Sequence, residues 1–566
     1  MNDLYSTGLM VSRFALIVLS VWLLARCLRS LLSERVEPEL WAWLRFDGQS
    51  LPVTHWENLI GRSRSADIRI RQKKIRRVHA VLKRSDREVW RIYDVFGRGG
   101  VFVNGRGVSS HGCALHSGDR ITLGQTRLRF VVAEQEPRPE DENVRRFSPF
   151  GTLMLLSLFQ LVLLFQHSLS ARGFLTLITL SFAMLLVLEW LCYSLMRLLG
   201  RSGFEIETLA FYLTTLGLSV AASAIPGELV KQMLLILASV LLFILVGLWL
   251  RTLRRTTAFR GVVALAALGL LAVNVVFSEE VLGARNWLEF GGYSFQPSEI
   301  VKVLYLYTGA ATLDKLYRRR NLFSFMAFSA VCVMAMALIG DFGTALVFFV
   351  CFLVISFLRS GSIATVLLAL TGAGMAGFLA VSIRPHIAQR FASWGHVWED
   401  IYGRGYQQAR AMSAAAAGGL FGKGAGAGWL KNVVAGDTDM VFGVICEEQG
   451  LIVGICMVLA VLTFAFFAVR AARFARSSYY AIAACGATAM LMTQTALNVF
   501  GSMDLLPFTG VTFPFVSRGG SSLLSCWMLM AFLKGSDTRR SASFVVRLAS
   551  SSYDGADEDE EEEDEA

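Results

Sequence analysis

The sequence predicts a polytopic all-α membrane protein of about 13 transmembrane helices, with a small all-β sandwich inserted after the first. Three observations predict it. Of 566 residues, 54% are hydrophobic and only 17% are charged, whereas a soluble domain carries about 25% charged residues. The apolar residues fall in blocks near the roughly 20 residues that cross about 30 Å of hydrocarbon. Residues 40–132 break that pattern, with short alternating runs separated by Gly, Asn and Asp, the signature of strands and tight turns.

The expected spans are 8–26, 149–167, 174–196, 204–224, 229–250, 259–277, 298–316, 322–340, 343–358, 362–383, 441–468, 478–500 and 513–534. The first contains Arg13, has no small-residue cleavage site and is followed by Arg26, Arg29 and Arg35, so it reads as a signal anchor. Basic residues mark every second loop, as at Arg251/Arg254/Arg255, Arg359 and Arg470/Arg473/Arg476. The positive-inside rule then places the N-terminus outside, the insert and the C-terminus in the cytoplasm, and the long loop 384–440 outside. The net charge of +10 resides in these loops, so it argues for membrane topology and against nucleic acid. The nine cysteines show no metal-binding or disulfide spacing, and most sit in apolar blocks as small hydrophobes. Glu134 to Asn143 is a charged linker, and Asp554 to Ala566 is almost wholly acidic, a composition that cannot bury itself and is expected to be disordered.

In the insert, Gly61-Arg62, Ala66-Asp67-Ile68, Ile75 to His79, Phe102 to Gly105 and Gly118 to Gly124 occur in order. This series resembles a forkhead-associated (FHA) domain. The resemblance implies binding of a phosphothreonine protein, with Arg62 as the phosphate-binding Arg and His79 bracing the loop. The usual Ser falls on Arg76, a stronger cationic contact, and the usual Asn falls on Gly99, which has no amide. An altered or purely structural interaction role therefore stands beside phosphopeptide binding. Asn104-Gly105 also reads as a hairpin turn.

Ionisable residues at membrane depth are functional candidates by default. Glu299 and Lys302 stand three apart behind Pro297, so they share a helix face and form either a site or an ordinary ion pair. Asp341, within Gly340 to Thr344, is a helix cap or a site residue. Gly418 to Gly424 with Lys423 is not a nucleotide loop, because no strand precedes it and no Ser or Thr follows the Lys. Asp439, at a span boundary near Glu447 and Glu448, either caps the following helix or is placed to hold its proton tightly and act as a general base. The Gly and Ser pairs of Arg518 to Ser522 suit close helix packing.

Taken together, Gly283 to Trp287, Gln296 to Lys302, Asp341 to Thr344, Thr438 to Gly450 and Gly510 to Ser522 resemble the SEDS family of FtsW, RodA and SpoVE, over about residues 204–534 and ten spans. The resemblance implies a peptidoglycan glycosyltransferase that polymerises lipid II at the outer face of the cytoplasmic membrane, in division or cell-shape maintenance. It places the catalytic carboxylate on Asp439 and the substrate cavity around Arg285, Glu299, Lys302 and Asp341. Arg285, Lys302 and Lys423 are then the cations for the departing diphosphate. A divalent cation (Mg or Mn) is the one candidate cofactor, with no metal-ligand set in the sequence. A class B penicillin-binding protein is the implied transpeptidase partner. Four departures stand out: Asp437 replaces the usual His and puts a second negative charge beside the base, Met440 replaces a Phe, Arg518 replaces a Tyr, and the Asp341 segment lacks its usual preceding Pro. A lipid II transporter and a non-enzymatic scaffold are the rival classes. The expected organisation is an anchor (1–30), the FHA-like domain (40–132), a linker (133–148), two additional helices (149–203), the SEDS domain (204–534) and an acidic tail (535–566).

Overall fold

The computed structural model describes residues 2–33, 40–63, 66–84, 89–95, 100–109, 111–133, 148–170, 173–199, 201, 203–281, 284–290, 293–313, 319–360, 363–383, 385–537 and 543. Gly99, the linker from 134 to 147 and the acidic run from Asp554 lie outside the described residues.

After α1 (Asn2–Ser33), eleven strands build the sandwich: β1 (Ala42–Phe46), β2 (Gln49–Val53), β3 (Glu57–Gly61), β4 (Ile68–Arg69), β5 (Ala80–Arg84), β6 (Trp90–Asp94), β7 (Val101–Val103), β8 (Arg106–Gly107), β9 (Cys113–Leu115), β10 (Arg120–Leu123) and β11 (Thr126–Val132). One sheet has the order β2-β1-β11-β10-β7-β8 and the other β4-β3-β5-β6-β9. Alternation along the strands sends one face inward. Leu44 opposite Phe130 and Leu82 opposite Ile92 fill the shared core with Ile60, Trp90 and Ile121. Trp90 and Phe130 meet edge to face at 5.7 Å. Asn104 and Gly105 both have positive φ and join β7 to β8, with Val103 opposite Arg106, so the hairpin reading of this dipeptide is the observed one.

The membrane half follows as α2 (Pro149–Ser170), α3 (Leu175–Leu198), α4 (Glu205–Ala224), α5 (Leu229–Leu250), α6 (Leu253–Ala258), α7 (Arg260–Phe277), a β-ribbon of β12 (Glu279–Val281), β13 (Ala284–Phe290) and β14 (Tyr293–Phe295), then α8 (Pro297–Leu313), α9 (Arg319–Ile339), α10 (Phe342–Ser360), α11 (Ile363–Ile383), α12 (Pro385–Ser393), α13 (Tyr406–Gly418), α14 (Val441–Gln449), α15 (Leu451–Phe474), α16 (Ser478–Ser502) and α17 (Gly520–Gly535). Among the described residues nine helices are long and apolar enough to cross a membrane. The expectation of about 13 spans also counts α8 and α17, of 17 and 16 residues, together with α10 and α11, whose apolar stretches are shorter. Trp527 on α17 is wholly buried and touches Phe211 of α4, Phe243 of α5 and Phe515, with ring centroids 4.8, 5.6 and 5.9 Å away.

Two features differ from expectation. The β12–β13–β14 ribbon was not legible as strands. The expected span 441–468 is two helices, because the chain breaks at Gly450. There φ is +95°, and a Cβ would lie 2.4 Å from the Leu420 carbonyl oxygen, so only glycine serves. Glu447 and Glu448 therefore end the short helix α14 rather than lying inside a long span.

The sandwich docks on the membrane half. The Trp56 amide donates to the Arg476 carbonyl at 2.7 Å, and His55 Nδ1 bonds the Ala475 carbonyl at 2.7 Å. Both acceptors lie in the basic turn between α15 and α16. Arg470, on the last turns of α15, bonds the carbonyl of Leu31 at the end of α1.

Candidate active site

Asp439 ends an irregular stretch that runs from Leu430 to the start of α14. Its amide donates to the Ala435 carbonyl. Its own carbonyl accepts from Asn498 Nδ2 of α16 at 3.0 Å, and that amide also donates to Val511 at 2.9 Å. Asn498 is buried and clamps the segment ending at Asp439 to the segment 509–513. On the far side stands Gly510, with φ of +70°; a Cβ there would lie 3.2 Å from Asp439 Oδ2. The carboxyl group is thus left facing a bare backbone, and burial pushes its pKa up to about 7. Thr438 and Arg390 oppose that rise, while Asp437 and Asp341 add to it. Its tight hold on a proton comes from burial and from Asp437 and Asp341, not from Glu447 and Glu448 as expected.

Of the predicted residues, the structure brings Asp341, Glu299 and Lys302 into the same neighbourhood. Pro297 opens α8, and one turn later Lys302 Nζ lies 2.6 Å from Glu299 Oε2. Ser525 Oγ of α17 donates to the same oxygen at 2.7 Å. Both partners are nearly inaccessible, so each depends on the other for compensation of its charge. Asp341 caps α10 by accepting from the Thr344 amide at 2.9 Å, and Gln296 Nε2 reaches its other oxygen at 3.2 Å. Of its two expected roles, the helix cap is the one this contact fulfils. Arg285 lies on β13, with its side chain outside the described residues.

Lys423 is differently employed. Its Nζ lies 2.8 Å from buried Glu447 Oε1, and Glu447 Oε2 accepts from the amides of Trp429 and Leu430 at 3.1 and 3.0 Å. Glu448 accepts from Ser223 of α4 at 2.8 Å and from the Gly426 amide at 3.0 Å. These two carboxylates organise the glycine-rich stretch 422–431 ahead of Asp439. Its other flank rests on the N-terminal helices: Arg13 of α1 bonds the Lys423 carbonyl, and Gln166 of α2 accepts from the Ala425 amide at 3.0 Å.

Sequence reasoning assigned no role to Arg390, Asn498, Arg13 or Gln166. Arg390 is exposed and bonds the Thr509 carbonyl at 3.3 Å, close enough to Asp439 to lower its pKa. An Arg within the first apolar block was the one available signal for Arg13.

In the sandwich, the Arg62 amide donates to the Arg76 carbonyl at 2.9 Å, so the two predicted anion-binding residues are neighbours, both exposed. His79 Nδ1 accepts from the Arg76 amide at 3.3 Å while Nε2 faces the Gly100 carbonyl at 3.0 Å. The ring therefore carries its proton on Nε2 and ties the two loops together.

The family model described as cell cycle protein, that of FtsW, RodA and SpoVE, matches residues 213–541. The chain belongs to the FtsW/RodA/SpoVE family. A second model, the FHA domain, matches residues 58–124. The peptidoglycan glycosyltransferase RodA of Mycobacterium tuberculosis is 32% identical over 323 residues, 54% of this chain and 69% of its own length. A probable peptidoglycan glycosyltransferase FtsW from Tolumonas auensis is 32% identical over 353 residues, 59% of this chain and 91% of its own. A solved chain from a peptidoglycan synthase complex, in a study of coordinated polymerization and crosslinking, is 25% identical with a TM-score of 0.50, covering 58% of this chain and 96% of its own.

Within this FtsW/RodA/SpoVE member, two departures from the family pattern prove to be partners. Arg518 Nε bonds Asp437 Oδ2, and the Arg518 amide donates to the Asp437 carbonyl at 2.9 Å. The extra negative charge beside Asp439 is therefore paired, and the pair ties the segment ending at Asp439 to the residues that lead into α17. Met440, a third departure, is fully buried and fills core volume.

Proposed function

We propose that this chain is a multi-pass membrane peptidoglycan glycosyltransferase that uses Asp439 as its general base. The half-buried carboxyl group of Asp439, its pKa lifted to about 7, carries the reading, because a base poised near the working pH transfers protons best. Asp439 takes the proton from a hydroxyl of the acceptor sugar. That oxygen forms a bond to the anomeric carbon of the lipid II donor with inversion. The bond from that carbon to undecaprenyl diphosphate breaks, and the diphosphate leaves with the electron pair. This single displacement needs no carboxylate nucleophile.

Arg390 is the cation best exposed to receive the diphosphate, and the family resemblance assigns Arg285 the same task; Lys302 acts through the field of its pair with Glu299. Lys423 serves as a brace for the loop. Among the described residues no group of three His, Cys, Asp or Glu side chains forms a metal-ligand cluster. A divalent cation that served the reaction would be held chiefly by the diphosphate oxygens, where it would supply charge neutralisation. The N-terminus and the loop that carries Asp439 face outward, and the sandwich and C-terminus face the cytoplasm; the basic α15–α16 turn supports this orientation. A class B penicillin-binding protein supplies transpeptidation, and a phosphothreonine protein is the expected ligand class of the FHA domain. The test is glycan polymerisation from purified lipid II, with and without the transpeptidase. Polymer from the wild type and none from Asp439→Asn supports the reading; equal polymer from both removes Asp439 from the chemistry.

A further inference from the structure

We infer that the recognition end of the FHA domain is a binding site for an acidic peptide, and that its occupant is the acidic tail of this same chain. The loop from Arg71 to Arg77 presents Arg71, Lys73, Lys74, Arg76 and Arg77, all exposed, and Arg62 joins them. The backbone holds them at one end of the sandwich. The amides of Arg62 and Ser63 donate to the carbonyls of Arg76 and Arg77 at 2.9 and 3.0 Å, and the Lys74 carbonyl packs on the β10–β11 turn at Gly124. Between Gly61 and His79 the sole acidic residue is Asp67, and it accepts from the Leu59 amide at 2.7 Å. Over residues 40–132 there are 18 Lys and Arg against 7 Asp and Glu.

The complementary charge lies at the other end of the chain. Residues 554–566 contain 10 Asp and Glu and no Lys or Arg, so the two segments nearly neutralise one another. A field of this kind concentrates an oppositely charged segment.

Position favours the tail over a lipid surface. β3 runs from Glu57, beside the docked His55 and Trp56, to Gly61 at the basic end. The basic loops thus lie one strand length, roughly 15 Å, from the docked end, on the side away from the membrane half. The tail leaves from the same side of the molecule as the sandwich. A Cβ on Gly535, the last residue of α17, would lie 3.6 Å from the ring of Tyr480. Tyr480 stands four residues beyond Arg476, on which the sandwich docks. Ser543 is still tied to the Gly535 carbonyl at 3.0 Å. From Ser543 to Asp554 the chain can extend by roughly 35 Å, enough to reach the far end of the sandwich.

A carbodiimide joins carboxylates to amines only at contact, so Lys73 and Lys74 report the complex in the intact purified chain. Cross-links between the 73–74 region and 554–565 are expected, independent of protein dilution and reduced at least fivefold between 50 and 500 mM NaCl. In a second arm, a labelled peptide of residues 551–566 should bind the chain truncated after Ser543 at least tenfold more tightly than the full chain. Arg71→Gln combined with Arg77→Gln should weaken that binding at least fivefold. Cross-links that miss Lys73 and Lys74, or equal peptide affinity for truncated and full chains, overturn the proposal. So does a cross-link lost on transfer from phosphatidylcholine to phosphatidylglycerol nanodiscs, which assigns the face to lipid. A phosphothreonine peptide that binds full and truncated chains alike shows the face to be unoccupied and also overturns it.

Discussion

Asp439 works through its surroundings, and those surroundings predict its pH dependence. With its pKa lifted to about 7, kcat/KM should climb as pH rises through that value, since the base acts only when deprotonated. Asp437 raises the pKa and Arg390 lowers it. Asp437→Asn should therefore move the acid limb to lower pH, the more so because it releases Arg518, and Arg390→Gln should move it to higher pH; pH–rate profiles of both variants read these opposite shifts. The buried Glu299–Lys302 pair makes a different prediction. Lys302→Met strands a buried carboxylate and should destabilise the protein by about 3–5 kcal/mol. Adding Glu299→Gln should restore most of the thermal stability without restoring polymerisation, which separates folding from catalysis in a melting experiment. The residue types and order of Glu299, Lys302, Asp341 and Asp439 were legible in the sequence because polar groups at membrane depth stand out against apolar blocks. The pairing of Asp437 with Arg518 was not: the two stand 81 positions apart, and each alone reads as a departure.

At the scale of elements, the loop before Asp439 is held from both sides. Glu447 and Glu448 gather its amides from the α14 side, while α1 and α2 grip it from the other through Arg13 and Gln166. This gives the N-terminal helices a physical role in the site. They are fixed to α4 by polar contacts along its length: Ser30 with Glu205, Ser20 with Tyr212, Gln160 with Thr215 and His167 with Ser219, at 2.7–3.1 Å. Such interhelical bonds contribute about 0.6–2 kcal/mol each within a membrane. Arg13→Ala and Gln166→Ala should lower kcat several-fold with little change in KM, and Arg13→Lys should recover part of the loss in a steady-state polymerisation assay. The long apolar helices were readable from the length of the apolar blocks, whereas the short helices α6, α12 and α13 were not. The break at Gly450 was not, because a glycine inside an apolar run also fits a continuous helix; the contact that demands it comes from Leu420, 30 positions earlier. Gly450→Ala should destabilise the protein markedly, read as a lowered melting temperature.

On the scale of the whole molecule, α1 joins the docked sandwich to the loop ahead of Asp439. Its last turn bonds Arg470 beside the docked sandwich, and Arg13 near its start bonds the loop that leads to Asp439. The sandwich and the membrane half were each legible from composition and motif order, since their hydrophobic periods differ. Their docking was not, because it rests on main-chain carbonyls at Ala475 and Arg476 that any sequence supplies. Whether this FtsW/RodA/SpoVE member polymerises glycan strands with Asp439 as base is decided by single-turnover polymerisation of lipid II by wild type and Asp439→Asn across about pH 5–9. With Asp439 as base, the wild-type rate rises through about pH 7 and the variant gives no polymer at any pH. Polymer from Asp439→Asn with the wild-type pH profile would contradict that role.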